Sequence, residues 1–529
     1  MTGAEHEGEP EDVVEPEDVV EPVDVVDAVV VGGGIAGLVA ARELALQGLR
    51  PLVLEAAAWP GGAVARHTVA GLDLDAGAES FATRGGSVAT LLEELGLGPT
   101  VTPPAPLGAW VQLPGGASTL PRTGVLGIPA NPFAPDVRAT IGLLGALRAG
   151  ADRWLPARWG ARAGDGGAVP LGALVRARMG GRVLDRLVAP VVGGVHAADP
   201  HAVDVDVVAP GLRRALAEHG SLGAAVTALR ALAPAGAAVA GLTGGMHLLV
   251  DALITDIGVR GGRFATGARV VALERAGSDW VVRVGARPGS TTRRPVVRTP
   301  RVVLAAPGPV AVDLLAPHVG GLASLRADAG ADVVLVTLVL AAPGLDAAPR
   351  GTGVLVAPRV AGIRAKALTH ATAKWPWLAA EAGPGRHVVR LSYGRSAADG
   401  VGGGVGIGVG VEDLMALEPD ALTVVALRDA SALLGVPLAP SQVVGSGRVR
   451  WSQSLPQPSA RHRQVVETVV GSPLEGLVVT GSWVAGNGLA SVVPHARAVA
   501  ARLVEPVEPA EPAEPAEPAE PAEPAEKLF

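Results

Sequence analysis

The residues best equipped for chemistry gather near the start of the chain. Gly32, Gly33, Gly34, Ile35, Ala36 and Gly37 satisfy G-x-G-x-x-G between an apolar run and a helix-forming stretch, the setting that gives this pattern meaning. In such a turn the first glycine permits the tight bend and the second lets the backbone approach a pyrophosphate. The third allows the helix to pack closely on the strand. The helix that follows would present unpaired N–H groups to the phosphates. Eighteen residues beyond Gly37, Glu55 closes the next apolar run, where a carboxylate can accept hydrogen bonds from a ribose diol. Strand, glycine turn, helix and acid together predict dinucleotide binding rather than a merely structural turn.

Elsewhere the chemistry-bearing residues are sparse. Of 44 basic residues only Lys366, Lys374 and Lys527 are lysines, and the first two lie close together. His462 and His495 have no neighbouring ligands in a metal-binding pattern, so no metal site is predicted, and no nucleophile triad is visible. His196 reads as a loop histidine that packs locally, with a substrate contact as the alternative. Arg176, Arg178, Arg182 and Arg186 recur at helical spacing and read as a solvated face.

The elements needed to position the elbow are legible. Residues 27–32 read as a strand, 35–47 as a helix and 49–56 as a second strand, a βαβ start. Residues 131–235 carry Arg, Leu and Ala at helical spacing. Strand-like runs return at 270–273, 280–284 and 302–306, and a second sheet is expected from 333–340, 353–356 and 387–392. Residues 399–413 read as a flexible glycine loop, and a last strand at 477–482 leads into a helix ending near Leu503.

Composition narrows the possibilities. With 529 residues the chain should hold two or more domains. The absence of cysteine excludes disulfides, thiolate zinc sites, cysteine-held iron–sulfur clusters and thiol nucleophiles, and points to a cytoplasmic protein. The net charge of −7 conceals a division: the tails 1–25 and 505–529 carry −10 and −7, so the body carries +10 and favours anionic ligands. Near-repeats of EDVVEP at one end and six EPA triplets at the other predict disordered tails. Neither a secretory leader nor a membrane-spanning run is found, so the reading is a soluble or peripherally attached protein.

Past Glu55, Gly61 and Gly62 with Arg66 soon after form a segment that resembles the second signature of the large FAD-dependent oxidoreductase group. That group includes amine oxidases, phytoene desaturases and protoporphyrinogen oxidases. The closing TGSWVAGNGLASVVPHARAVAARL is similar to the group's last flavin segment. LDLDAGAESF at 72–81, LVAPVVGGVHAADP at 187–200, GGMHLLVDAL at 244–253, KALTHATAKWPW at 366–377 and WSQSLPQPSARH at 451–462 resemble blocks of the porphyrinogen oxidases in order and spacing. Among these, the chain most resembles the coproporphyrinogen oxidases of Gram-positive bacteria.

The resemblance implies an α/β fold: a discontinuous Rossmann-like FAD-binding domain, a mixed-sheet substrate domain and a mostly helical insertion. Their expected limits are 26–95, 237–320 and 462–504 for FAD, 96–130 and 321–461 for substrate, and 131–236 for the insertion. It places Gly32 to Gly37 on the pyrophosphate, Glu55 and Ala56 on the adenosine ribose, and Gly61, Gly62 and Ala63 near the flavin. It sets Gly77, Ala78, Glu79 and Ser80 beside the isoalloxazine and Val270 on the adenine side. Trp451, Ser482, Asn487, Gly488 and Leu489 fall at the C-terminal flavin turn. Lys374 is implied to reach the flavin through a water, as a lysine does in amine oxidases.

The implied activity is oxidation of coproporphyrinogen III to coproporphyrin III in haem synthesis, in three two-electron steps with O2 as acceptor and hydrogen peroxide as product. The implied partners are the porphyrinogen and O2, with ferrochelatase as a candidate recipient, no nucleic acid and at most peripheral membrane contact. Protoporphyrinogen IX is the nearest rival substrate. An amine oxidase or carotenoid desaturase is a weaker alternative, since Tyr393, the single tyrosine, cannot build an aromatic amine cage. A non-catalytic porphyrin carrier is the reading from another class.

Overall fold

A computed structural model describes residues 23–121, 124–161, 168–231, 238–285, 296–325, 330–394, 411–455 and 459–504. The expectations for residues 1–22 and 505–529, for 399–410 of the glycine-rich stretch and for the side chain of His196 fall outside the described residues, while 411–413, expected to end that flexible loop, begin the helix Val411–Met415.

The apolar runs that flank the glycine elbow are buried on both faces, as strands of a parallel sheet must be. Ala28–Val31 and Pro51–Glu55 pair in parallel, with Ile35–Leu46 crossing between them. Arg263–Thr266 extends the sheet beyond Pro51–Glu55, while Val302–Leu304 and Leu477–Val479 extend it on the other side, giving five strands, all parallel. Three distant pieces of sequence thus meet in one sheet. The helix Ile35–Leu46 is almost wholly buried because the final helix, Leu489–Val504, packs over it.

A smaller sheet flanks this layer, built from Val270–Ala276, Asp279–Val284 and Val296–Thr299. Val23–Val25, expected to belong to the disordered N-terminal tail, pairs in parallel with its edge. The alternation that continues from the acidic repeat into VDVV matches an open strand edge, which supplies the missing hydrogen bonds.

The second large sheet has seven strands and is mostly antiparallel. Its order runs Val443–Leu455, Ala331–Ala341, Arg386–Tyr393, Ala367–His370, Gly353–Val356, Trp110–Leu113 and Gly116–Thr119. One face carries the helix Pro419–Leu434 over an aliphatic core. The other meets the hairpin Arg66–Val69 and Leu72–Asp75 next to the nucleotide elbow.

Residues 135–161 and 168–231 are mostly helical, including Pro135–Gly150, Leu171–Met179, Leu212–His219 and Leu222–Ala231, around a separate core that also takes in Ile128. Here the arginine reading needs correction. Arg178 is fully buried: its Nε donates to Asp152 Oδ1 at 2.6 Å and its other donors reach the carbonyls of Pro156, Trp159 and Gly220. Arg176 and Arg182 are exposed as a solvated face would have them, although Arg182 also donates to the carbonyl of Ile141, while Arg186 is half-buried and donates to that of Thr140.

Candidate active site

The elbow is built almost entirely from main chain. Gly32 has φ +102°, a conformation that excludes a side chain, and any Cβ there would press on the Ala305 carbonyl. Gly37 is required for a second reason, because its Cβ would occupy the space of the Gly32 carbonyl oxygen. Gly34 starts the helix Ile35–Leu46 without a side-chain cap, leaving the first helical N–H groups available to an anion. Ile35 and Ala36 are buried behind it.

Glu55 is oriented by that same backbone. The Gly33 N–H donates to its Oε2 at 2.7 Å and the Ala57 N–H donates to its Oε1 at 2.7 Å. Each oxygen keeps a lone pair for a ribose hydroxyl. Ala56 lies exposed beside it, and the Ala268 N–H donates to the Glu55 carbonyl, which carries Val270 to the same end of the sheet. The Gly61 N–H donates to Gly33 O at 2.7 Å, so Gly61 and Gly62 face the elbow, and a Cβ on Gly62 would lie 3.2 Å from the Gly34 Cα.

From there a ladder of contacts runs toward the seven-stranded sheet. The Ala78 N–H donates to Ala63 O at 2.8 Å, and Gly77 packs so tightly on that carbonyl that no side chain fits. Trp451 Nε1 donates to Ala76 O at 2.8 Å from the long strand of the sheet. Arg390 donates to Asp75 O at 3.0 Å and Gly77 O at 2.8 Å. Residues 75–77 are therefore pinned from both sides.

Next along the chain, Glu79 sits between two cations. Its Oε1 meets Lys374 Nζ at 2.5 Å and its Oε2 meets Arg390 Nη2 at 2.9 Å. Burial alone would raise the Glu79 carboxyl, but Lys374 and then Arg390 outweigh it and bring the pKa down to about 2. Two cations and one anion leave this junction with one net positive charge. Burial, with Arg390 adding to it, also lowers the pKa of His67, which favours the neutral ring there. Ser80 follows, half-buried, ahead of the short strand Phe81–Ala82.

Near the C-terminus, Ser482 opens the short helix Ser482–Ala485, and Gly486 and Gly488, at φ +91° and +93°, bracket Asn487. The Asn487 Oδ1 is buried with no hydrogen-bond partner among the described residues, and Leu489 begins the helix that covers the elbow helix. A nucleotide cofactor fits this donor set: an uncapped helix start, a backbone-held carboxylate and an orphaned amide oxygen.

Sequence reasoning singled out the glycine elbow, Glu55 and Glu79, which the structure joins in one ladder of contacts, but did not single out Arg390. The available signal was an arginine alternating with apolar residues in HVVRLSY, a strand whose other face is core. Lys374, expected to reach the flavin through a water, pairs with Glu79. Trp375 is buried in the core beside Lys374. Among the described residues no cluster of three or more potential metal ligands occurs, and no helix is long and apolar enough to cross a membrane.

The five-stranded parallel sheet thus meets the seven-stranded, mostly antiparallel sheet at this junction, an arrangement that goes with the family to which the sequence assigns the chain. The chain belongs to the flavin containing amine oxidoreductase family, whose sequence pattern matches residues 35–504. Coproporphyrinogen III oxidase of Mycobacterium tuberculosis (strain ATCC 25618 / H37Rv) is 30% identical over 487 residues, covering 90% of this chain and 97% of its own. The protein of that name from Bacillus subtilis (strain 168) is 24% identical, covering 89% and 97%. A crystal structure from Exiguobacterium sp. 255-15, provisionally described as a protoporphyrinogen oxidase, shares the fold with TM-score 0.72 at 23% identity, covering 92% of this chain and 99% of that one.

Proposed function

We propose that the chain is an FAD-dependent coproporphyrinogen III oxidase acting in the cytoplasm in haem synthesis. The observation that carries this reading is the 30% identity, over 90% of the chain, to relatives of that name. The cradle supports FAD in particular. The free N–H groups after Gly34 suit a diphosphate, and Glu55 suits a ribose diol.

When bound, FAD supplies a two-electron acceptor that O2 reoxidises with release of hydrogen peroxide. In each of three rounds a methylene carbon of the porphyrinogen gives up a hydride and one proton leaves to solvent, so six electrons are removed in all. The protein's own task is mostly placement. Arg390, Trp451 and Lys374 hold residues 75–79 rigid, and the positive junction favours both a carboxylate-bearing substrate and negative charge on the reduced cofactor.

The test is turnover of coproporphyrinogen III and protoporphyrinogen IX by purified protein, followed by porphyrin fluorescence and peroxide yield. Faster turnover of coproporphyrinogen, with one peroxide per two electrons, is expected. Preference for protoporphyrinogen would move the assignment to the rival substrate. A flavin-loaded protein that releases no peroxide with either would favour the carrier.

A further inference from the structure

Four helices begin around the proposed cofactor cradle. Ile35–Leu46 starts at the elbow, and Leu489–Val504 starts at the turn that holds Asn487. Ser87–Glu94 follows the segment that carries Glu79, and Arg84, just ahead of it, donates to Ser491 Oγ at 3.3 Å in the first turn of Leu489–Val504. His247–Val259 begins where the His247 N–H donates to Asp75 Oδ1 at 3.2 Å. Val250, in its first turn, lies 3.2 Å from where a Cβ on Gly61 would sit.

About two turns down from these starts, every one of the four helices sends a charged side chain into a common cluster. Arg42 is buried, and its Nε donates to Asp256 Oδ2 at 2.8 Å while its Nη1 donates to Glu94 Oε2 at 2.6 Å. Arg497 grips the same carboxylate from the other side. Its Nη1 donates to Glu94 Oε1 at 3.0 Å and its Nη2 to Oε2 at 2.6 Å, while its Nε meets Glu43 Oε1 at 3.2 Å. Arg260 completes the group by donating to Asp256 Oδ2 at 3.1 Å. Three arginines thus face three acids, and the bond from Arg497 does most to lower the Glu94 pKa.

Elsewhere the four helices meet through aliphatic side chains such as Leu38, Val39, Leu92, Leu253 and Val493, which share one core. Burial of such groups is non-directional and sets spacing better than register. Charge-assisted hydrogen bonds between fixed donors and acceptors set both. We propose that Arg42 and Arg497 are positioning residues for the cofactor. By tying four helices together at one depth, they hold the turn at Gly34 and the turn at Asn487 at the separation that a single FAD must span. This rests on the FAD reading given above.

On that reading FAD engages both turns, whereas ADP engages only the elbow and Glu55, so the two ligands separate positioning from general weakening. Full-length apoprotein is titrated with FAD by fluorescence and with ADP by calorimetry. Arg497→Leu is expected to bind FAD about tenfold more weakly while its ADP affinity changes by less than about twofold. Arg497→Lys keeps the charge and should recover part of the FAD affinity. Visible circular dichroism of the bound flavin should also change in Arg497→Leu, which lost stability alone would not cause. Glu94→Gln keeps the side-chain size while weakening the bonds of both arginines, and it carries the same comparison should Arg497→Leu fail to fold. Equal losses for FAD and ADP, no loss in either variant, or unchanged flavin dichroism would each overturn the proposal. An unaltered protein that binds ADP but not FAD would overturn the FAD reading, and the proposal with it.

Discussion

The elbow at Gly32 to Gly37 and the junction at Glu79 lie at the two ends of one ladder of contacts, yet they are made by opposite means. The elbow is backbone: its glycines are needed because carbonyls crowd them, and its acid is held by amides of Gly33 and Ala57. The junction is side chains: Glu79 finds Lys374 at a separation of 295 residues, and Arg390 reaches Gly77 across 313. Shape-dependent binding tolerates almost no added volume, whereas a buried ion cluster tolerates volume but not an uncompensated charge. Substitutions can therefore separate the two.

The largest effect belongs to Gly37→Val. Its side chain would collide with the Gly32 carbonyl, which cannot retreat without breaking the turn. A loss of about 3 kcal/mol or more is expected, with failure to retain flavin, measured by denaturant unfolding and by the visible spectrum. A stable, yellow Gly37→Val protein would show that the elbow is more pliable than its packing indicates.

Next comes Glu79→Ala, which strands Lys374 and Arg390 together in a buried site. Destabilisation on the order of 3 kcal/mol is expected, and the double variant Glu79→Leu with Lys374→Met should recover part of it. The same pair has a pH signature. Glu79 is depressed from near 4.5 to about 2, so its contribution is full above about pH 4.5 and is lost as pH falls toward 2. Acid unfolding of Glu79→Ala should be shallower across that window than that of the unaltered protein. Coincident curves would remove Glu79 from the stability balance.

Lys374→Arg should sharpen the contrast further. It retains the charge against Glu79, so stability should change by less than about 1 kcal/mol, while Lys374→Met should lower kcat more than it raises KM, because the positive charge is lost. Equal kcat in the two variants would confine Lys374 to a structural role.

The same contrast explains what could be read from residue order. Gly37, Glu55 and the strands beside them interact within thirty residues, so spacing alone exposes them. The long strand Val443–Leu455 was not legible, since GSGRVRWSQS looks like loop. Gly445 and Gly447 are there because the hairpin crosses closely, with a Cβ on Gly445 lying 3.0 Å from the Ala70 Cβ. Arg178 misled for a related reason. Helical spacing gives a face but not what covers it, and the Asp152 that makes burial tolerable comes from another helix segment.

The smallest expected effect returns to the elbow. Glu55→Gln keeps the size of the side chain and one carbonyl oxygen, so either the Gly33 or the Ala57 amide loses its acceptor. Gly33 is buried while Ala57 is exposed, so the glutamine should keep its oxygen on the Gly33 amide and leave the Ala57 amide to water, which limits the cost in stability to well under that of Glu79→Ala. Ribose hydroxyls would exchange a charged acceptor for a neutral one, a change worth roughly 1 kcal/mol, or about a fivefold weaker FAD affinity. Fluorescence titration of apoprotein with FAD reads this directly. If Glu55→Gln instead matched Glu79→Ala in lost stability, the carboxylate would be part of the fold's framework, and the division between a binding elbow and a stabilising junction would fail.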